Sequence, residues 1–289
     1  MQSELQNELK IMTWNIKGGA ALGWENSQQK IKSLEGIVKK IFSLKAEADI
    51  IVLTEFIITK GVEYLFEKFQ IKGYIWFQTT RTGKNGVLIA IKKKLVNYNE
   101  LKEQVWYDDI VSSQFEGCNI LKVTLPLKFE KELSIIGCRM ESGVKKEKEP
   151  MSDSEKELLL RMQYDSERNN FDNILIPMIR PLKKGQLYIV CSDFNNARCL
   201  GKLNEKFNSQ NYNGKSQCNY NLNIIKDTFD SIGFTMVDVD ENGNAIPTHK
   251  GYYPDDHIFV YGFQPMSFGV VPSAELSDHD ILWSKVKVY

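Results

Sequence analysis

The chain has 289 residues, 42% of them hydrophobic, with 37 basic and 37 acidic side chains that cancel to a formal net charge of zero. That balance excludes a wholesale nucleic-acid coat protein, which would be strongly basic, and leaves room for a local basic cleft. No apolar run approaches the roughly 20 residues that span a bilayer, so no membrane insertion is expected.

The length equals roughly two typical domains, but α/β folds of this size are often one. No repeat, low-complexity tract or Pro/Gly-rich linker divides the chain, and one domain over residues 1–289 is the economical reading. Residues 1–9 read as a disordered or loosely packed extension, polar and without the apolar centre of a signal peptide. The cysteines Cys118, Cys138, Cys191, Cys199 and Cys218 are odd in number and lack CxxC pairing. Reduced, mostly buried thiols in a cytoplasmic protein fit that pattern.

Residues 10–15 read as a short strand ending at Asn15, followed by a turn at Gly18-Gly19. Ile31, Leu34, Ile37, Val38, Ile41 and Leu44 recur at helical spacing, and Asn26 with Gln29 resembles a capping box. Residues 49–55 form a near-continuous apolar run of strand length that ends in Glu55, as expected of a strand buried on both faces. A short helix over 62–69 precedes a hairpin of 74–80 and 87–92, with Gly83-Lys84-Asn85-Gly86 as its turn.

Strands over 119–125 and 133–138 flank a turn near 128–131, and the second runs into Arg139. Residues 145–149 are charged and read as a solvated loop. Helix signals resume at Ser152, with Glu155 three residues on, and extend towards Pro177. The run Leu187 to Cys191 then delivers Asp193 and Asn195, two residues apart and so on one side of an extended segment. Taken alone, an acid and an amide at a strand end are also ordinary turn chemistry. Residues 196–221 are polar and rich in Asn, Lys and Gly, and a loop this long is usually functional or mobile. A helix over 224–232, strands over 235–239, 256–260 and 267–271, and Ser277-Asp278-His279-Asp280 leading into a strand over 281–288 complete the chain.

Asn15, Glu55, Asp193 with Asn195, Asp256, and Asp278 with His279 thus all fall at strand ends, where α/β sheets place active sites. The set is rich in hard oxygen donors and has no cysteine cluster, which suits Mg²⁺ or Mn²⁺ and not structural zinc. His249 and His257 are weaker candidates; along the strand, His257 alternates away from Asp256.

Five stretches in this order resemble the endonuclease/exonuclease/phosphatase superfamily, the fold of deoxyribonuclease I and exonuclease III. They are Thr13-Trp14-Asn15, Leu53-Thr54-Glu55, Ser192-Asp193-Phe194-Asn195, Pro247-Thr248 ahead of Asp256-His257-Ile258-Phe259, and Ser277-Asp278-His279. The resemblance runs from about Lys10 to the C-terminus. It implies a four-layer α/β sandwich, two mostly antiparallel sheets packed face to face with helices outside. It also implies that Glu55 binds the divalent cation, helped by Asn15 and Asp278. Asp193 would orient and deprotonate the attacking water, and Asn195 would hold that water or a phosphate oxygen. His279 would bind the phosphoryl group, with Asp256 fixing its tautomer and charge, and Asn15 would border the same phosphate.

Two departures stand out. Many members carry a histidine, and some a tyrosine, where this chain has Arg139 in Gly137-Cys138-Arg139-Met140. An arginine stays protonated and does not supply a leaving-group proton, but it can clamp a phosphate oxygen bidentately. Cys191-Ser192 stands where many members have glycine before Asp-Phe-Asn, and Thr54 where glutamine is common.

Three functions follow from this. The first is a Mg²⁺-dependent phosphodiesterase on nucleic acid, most simply DNA. Arg81, Lys84, Arg139, Arg198, Lys202, Lys206 and Lys215, with Tyr212 and Tyr220 interleaved, fall in loops or strand ends suited to a nucleic-acid backbone. The same composition also serves plain solubility. The second is a phosphatase or phosphodiesterase on a small or lipid substrate, such as an inositol phosphate or nucleotide. The third is a catalytically silent binding module of the same fold, which the missing histidine motivates and the retained acids oppose.

Overall fold

A computed structural model of the chain describes residues 8–17, 27–43, 47–58, 61–79, 86–97, 106–111, 119–128, 131–140, 171–180, 182–195, 222–249 and 254–289. Its strands are β1 (Glu8–Asn15), β2 (Ile50–Phe56), β3 (Tyr74–Gln78), β4 (Gly86–Lys92), β5 (Trp106–Val111), β6 (Asn119–Pro126), β7 (Glu132–Arg139), β8 (Leu187–Asp193), β9 (Thr235–Met236), β10 (Asp256–Tyr261), β11 (Phe263–Val271) and β12 (Ile281–Val288). Its helices are α1 (Ser27–Phe42), α2 (Val62–Ile71), α3 (Ile176–Ile179), which continues a π-helical turn at Phe171–Leu175, and α4 (Leu222–Ser231).

The strands form two six-stranded sheets, in the orders β11-β12-β1-β2-β4-β3 and β5-β6-β7-β8-β10-β9. Each is antiparallel but for one pair, β1 with β2 and β7 with β8. Three hydrophobic clusters make four layers of this. One lies between the sheets and is built from alternate residues of both, such as Ile50 and Val52 of β2 against Leu133 and Ile135 of β7. A second joins α1 and α2 to the outer face of the first sheet through Leu34, Ile37, Ile41, Leu65 and Phe69. A third packs Phe171, Leu175, Ile225 and Phe229 on the outer face of the second sheet. Strand side chains alternate faces, so a strand covered on both sides reads as an unbroken apolar run, and β2, β4 and β8 do. No helix among the described residues is long and apolar enough to cross a membrane.

Gly137 sets how closely the sheets approach near the end of β7. It follows Leu133 and Ile135 in the row facing the other sheet, and a Cβ there would lie 2.6 Å from Val87 Cγ1 and 2.8 Å from Val52 Cγ1. Those methyls belong to stiff β-branched side chains with no room to retreat. Gly137→Ala is therefore expected to cost about 1–3 kcal/mol, read as a lower urea midpoint at unchanged slope. An unshifted midpoint would mean that the sheets tolerate a wider spacing.

The sequence expectations and the structure differ at several elements. β1 begins at Glu8, which pairs with Lys287, so residues 8 and 9 are strand and not extension. β5 was not expected: Asp108-Asp109 interrupts its apolar pattern, and among the described residues it is an edge strand paired with β6 alone. β9 is shorter than 235–239, because Asp238 turns out of the ladder to bind His257 and the Ile258 N–H. Of the helix expected from Ser152, residues 152–170 lie outside the described residues, and the described part opens as a π-helical turn. Asn26, the turn at 83–85, the charged stretch 145–149 and the segment 196–221 also lie outside them. Cys138 and Cys191 are buried, as expected, and the other three cysteines are outside the described residues.

Candidate active site

On four strands, the row of side chains facing between the sheets begins apolar and ends in a polar residue. In β1 it runs Leu9, Ile11, Thr13, Asn15; in β7 Leu133, Ile135, Gly137, Arg139; in β8 Leu187, Ile189, Cys191, Asp193. β10 runs the other way, so its row Val260, Ile258 finishes at its first residue, Asp256. Register completes the assembly: Asp193 lies opposite Asp256 on one side and Arg139 on the other. Asp193 and Asp256 are fully buried and Asn15 nearly so.

Glu55 reaches the same place by a different route. The β2–β4 register shifts between Thr54 and Phe56, which leaves Glu55 as the extra residue of a bulge at φ 51°. A bulge re-aims one side chain out of strand alternation, and here it turns a carboxylate towards the sheet ends. Asn195 sits in the same left-handed region at φ 50°, just past β8.

Asn15 organises the carboxylates: its Nδ2 donates to Asp193 Oδ2 at 2.7 Å and to Glu55 Oε1 at 3.2 Å, and its Oδ1 accepts the Lys17 N–H at 2.9 Å. Asp193 Oδ1 accepts the Asn195 N–H at 3.0 Å, and Asn195 Nδ2 donates to the Met140 carbonyl at 2.8 Å. His279 Nδ1 donates to Asp256 Oδ2 at 2.7 Å, which leaves Nε2 as the nitrogen to meet a substrate. Its N–H donates to Ser277 Oγ, its carbonyl accepts from Trp14 Nε1, and Ser277 Oγ in turn donates to the Asn15 carbonyl.

The electrostatics follow from burial and pairing. Burial pushes the Asp193 carboxyl up to about 7; His279 and Arg139 pull against that shift, and Asp256 adds to it. Burial alone would neutralise His279, but the charge and hydrogen bond of Asp256 outweigh it and hold the imidazole cationic, up to about 10. Asp278 is pushed up by burial, but its hydrogen bond from Lys17 and the nearby His279 charge prevail and keep it below the ordinary carboxylate range.

Arg139 is placed differently from the phosphate clamp that the sequence suggests. Its Nε and Nη2 each lie 3.1 Å from Glu55 Oε1, and its Nε is 4.0 Å from Asp193 Oδ2. With Asn15 also on Oε1, Glu55 presents Oε2, which takes no hydrogen bond among the described residues. Asp256 Oδ1 is likewise buried without a hydrogen-bond partner. Open carboxylate oxygens among hard donors fit Mg²⁺ or Mn²⁺, which take one or two carboxylates and keep several waters. Asp193, Asp256 and His279 bring ligand-type atoms within 4.8 Å of one another, as do His249, Asp278 and His279; Glu55 is in neither group.

Lys17, which the sequence did not single out, and His249, one of its weaker candidates, also belong here. Lys17, at φ 49°, pairs with Asp278 at 2.9 Å. His249 stacks on His279, and its only sequence signal is its place right after Thr248 in the fourth stretch. His257 behaves as its alternation suggests: it is fully buried and paired to Asp238 at 2.8 Å on the far face of the sheet. Arg81, Lys84, Arg198, Lys202, Lys206, Lys215, Tyr212 and Tyr220 lie outside the described residues.

No protein-family model matches the sequence, and no curated protein sequence does. Solved structures do. A D. rerio TDP2 humanized by 14 mutations superposes with a TM-score of 0.63 at 15% identity, covering 98% of this chain and 100% of that one. A structure of D. rerio TDP2 also exists as a complex with single strand DNA product. ANGEL2, described as a 2',3'-cyclic phosphatase and complexed with adenosine-2',3'-vanadate, gives 0.60 at 15% identity, covering 97% and 96%. An endonuclease/exonuclease/phosphatase protein from Beutenbergia cavernae gives 0.57 at 14% identity, covering 97% and 72%. With two six-stranded sheets face to face, helices outside and the polar cluster at the sheet ends, the chain has the deoxyribonuclease I-like fold of these solved structures.

Proposed function

We propose that the chain is a divalent-cation-dependent phosphoester hydrolase, and most simply a phosphodiesterase acting on DNA. The observation that carries this reading is Asp193. It is a fully buried carboxylate held on both oxygens by amide donors, with the cationic His279–Asp256 pair within reach of the same space. A buried acid so surrounded is costly unless it has chemistry to do.

Hydrolysis needs a water in line behind phosphorus and neutralised charge on the phosphoryl oxygens. Asp193 takes the water's proton, and its raised pKa poises it as a base near neutrality. Asn195 holds the water or a phosphate oxygen. His279 Nε2–H donates to the phosphoryl group, the ring being held cationic by Asp256 at Nδ1. Glu55 Oε2 is the first ligand for Mg²⁺ or Mn²⁺, with Asn15 and Asp278 supporting it. Such a cation supplies charge neutralisation on the phosphate and the leaving oxygen when bound. Arg139 holds Glu55 in place and stands close enough to share in that charge.

DNA is favoured by the basic and aromatic residues that follow β3 and β8 in the sequence, a composition suited to a nucleic-acid backbone. A small or lipid phosphoester is the second reading, supported by the zero net charge. The test is plasmid DNA with Mg²⁺ or Mn²⁺, with a chelator, and across a salt series. The expected result is cation-dependent cleavage that falls steeply as salt rises. Cleavage of nucleotides or inositol phosphates in preference to DNA would move the assignment to the second reading, and no turnover on any phosphoester would leave a silent module.

A further inference from the structure

We propose that His249 is a positioning residue for His279, with its own His–Asp pair stacked on the first. The activity arm of this proposal rests on the hydrolase reading above. The His249 and His279 rings lie parallel, 5° apart, with centroids at 4.2 Å. Each ring is anchored at Nδ1 by an aspartate at 2.7 Å, His249 by Asp255 and His279 by Asp256, and these acids are neighbours in the chain. The backbone ties the two rings together as well. His249 and His279 form an antiparallel bridge, the Asp280 N–H donates to the Thr248 carbonyl at 2.6 Å, and the Asp256 N–H donates to Thr248 Oγ1 at 3.1 Å.

A single hydrogen bond at Nδ1 fixes one point of an imidazole and leaves it free to tilt about that point. A second ring lying flat against one face removes the tilt and so aims Nε2. The stack argues against the other use of these residues. His249, Asp278 and His279 have metal-type proximity, but parallel rings hold their nitrogen lone pairs in two separate planes. An ion in the plane of one ring would lie out of the plane of the other. His249 Nε2 is also 3.9 Å from Asp278 Oδ2, beyond a hydrogen bond.

The test compares His249→Ala and His249→Phe by steady-state kinetics on a phosphodiester and by the NMR signal of the His279 Cε1–H. His249→Ala is expected to lower kcat about tenfold to a hundredfold, because small misplacements of a catalytic group cost that much, with KM little changed. His249→Phe should restore most of the rate, since a flat ring suffices. The His279 signal should shift and broaden in the alanine variant and stay ordered in the phenylalanine one. Undiminished kcat in His249→Ala overturns the proposal, as does a folded His249→Phe as impaired as alanine, which would give the imidazole a chemistry of its own. If the wild type turns over no phosphoester, the hydrolase reading fails. The NMR comparison then still decides the positioning: an unchanged His279 signal in His249→Ala refutes it.

Discussion

Asp193→Asn is expected to lower kcat about a hundredfold to ten-thousandfold, the range for removing a general base, while the chain still folds. The substitution keeps the volume of a residue with no exposure, so its packing opposite Asp256 survives. What changes is hydrogen-bond polarity. Oδ1 and Oδ2 both accept, from the Asn195 N–H and from Asn15 Nδ2, so an amide at 193 must turn a donor towards one of them. Asn15 cannot readily flip to compensate, because the Lys17 N–H holds its Oδ1. A stability loss of about 1–3 kcal/mol should therefore accompany the loss of rate, partly offset by removal of a buried charge. Turnover and urea denaturation on one preparation separate the two effects. A folded variant with near wild-type turnover would remove Asp193 from the mechanism.

This residue also shows how far a sequence can be read. Every strand that ends at the site is a buried strand, and burial on both faces writes itself as an unbroken apolar run, so β2 and β8 and their terminal acids were legible. The parity of β10 was legible too: it sent Asp256 inward and His257 to Asp238. Two kinds of information were not. Edge strands such as β5 carry no two-sided apolar signature, and a bulge at Glu55 depends on register with β4 rather than on local residue choice. Pairings among the site residues were equally hidden. Arg139 was expected to face a phosphate, and only the parallel β7–β8 register, which sets it beside Asp193, brings its guanidinium to Glu55. Likewise His249 and His279 are distant in sequence and meet only through a backbone bridge.

The Arg139–Glu55 pair makes Glu55→Gln the second large effect. Wild-type protein should gain thermal stability on addition of Mg²⁺ or Mn²⁺, about 2.7 kcal/mol at a hundredfold excess over Kd. Glu55→Gln should abolish that gain together with turnover, because a neutral amide is a poor ligand for a hard dication. The variant should also be less stable than wild type in chelator. Arg139 is only 7% exposed, and its Nε and Nη2 both lie 3.1 Å from Glu55 Oε1. Breaking one charge of a buried ion pair costs up to about 3–5 kcal/mol, and the amide oxygen of glutamine, still able to accept from Nε, keeps the loss near the lower end. The double variant Glu55→Gln/Arg139→Met distinguishes the two roles of Glu55. It removes both charges of the pair and should recover much of the stability in chelator, yet it should show no response to either cation. If Glu55→Gln alone still gains stability from Mn²⁺, the cation is held by Asp193, Asp256 or Asp278, and Glu55 serves only to anchor Arg139.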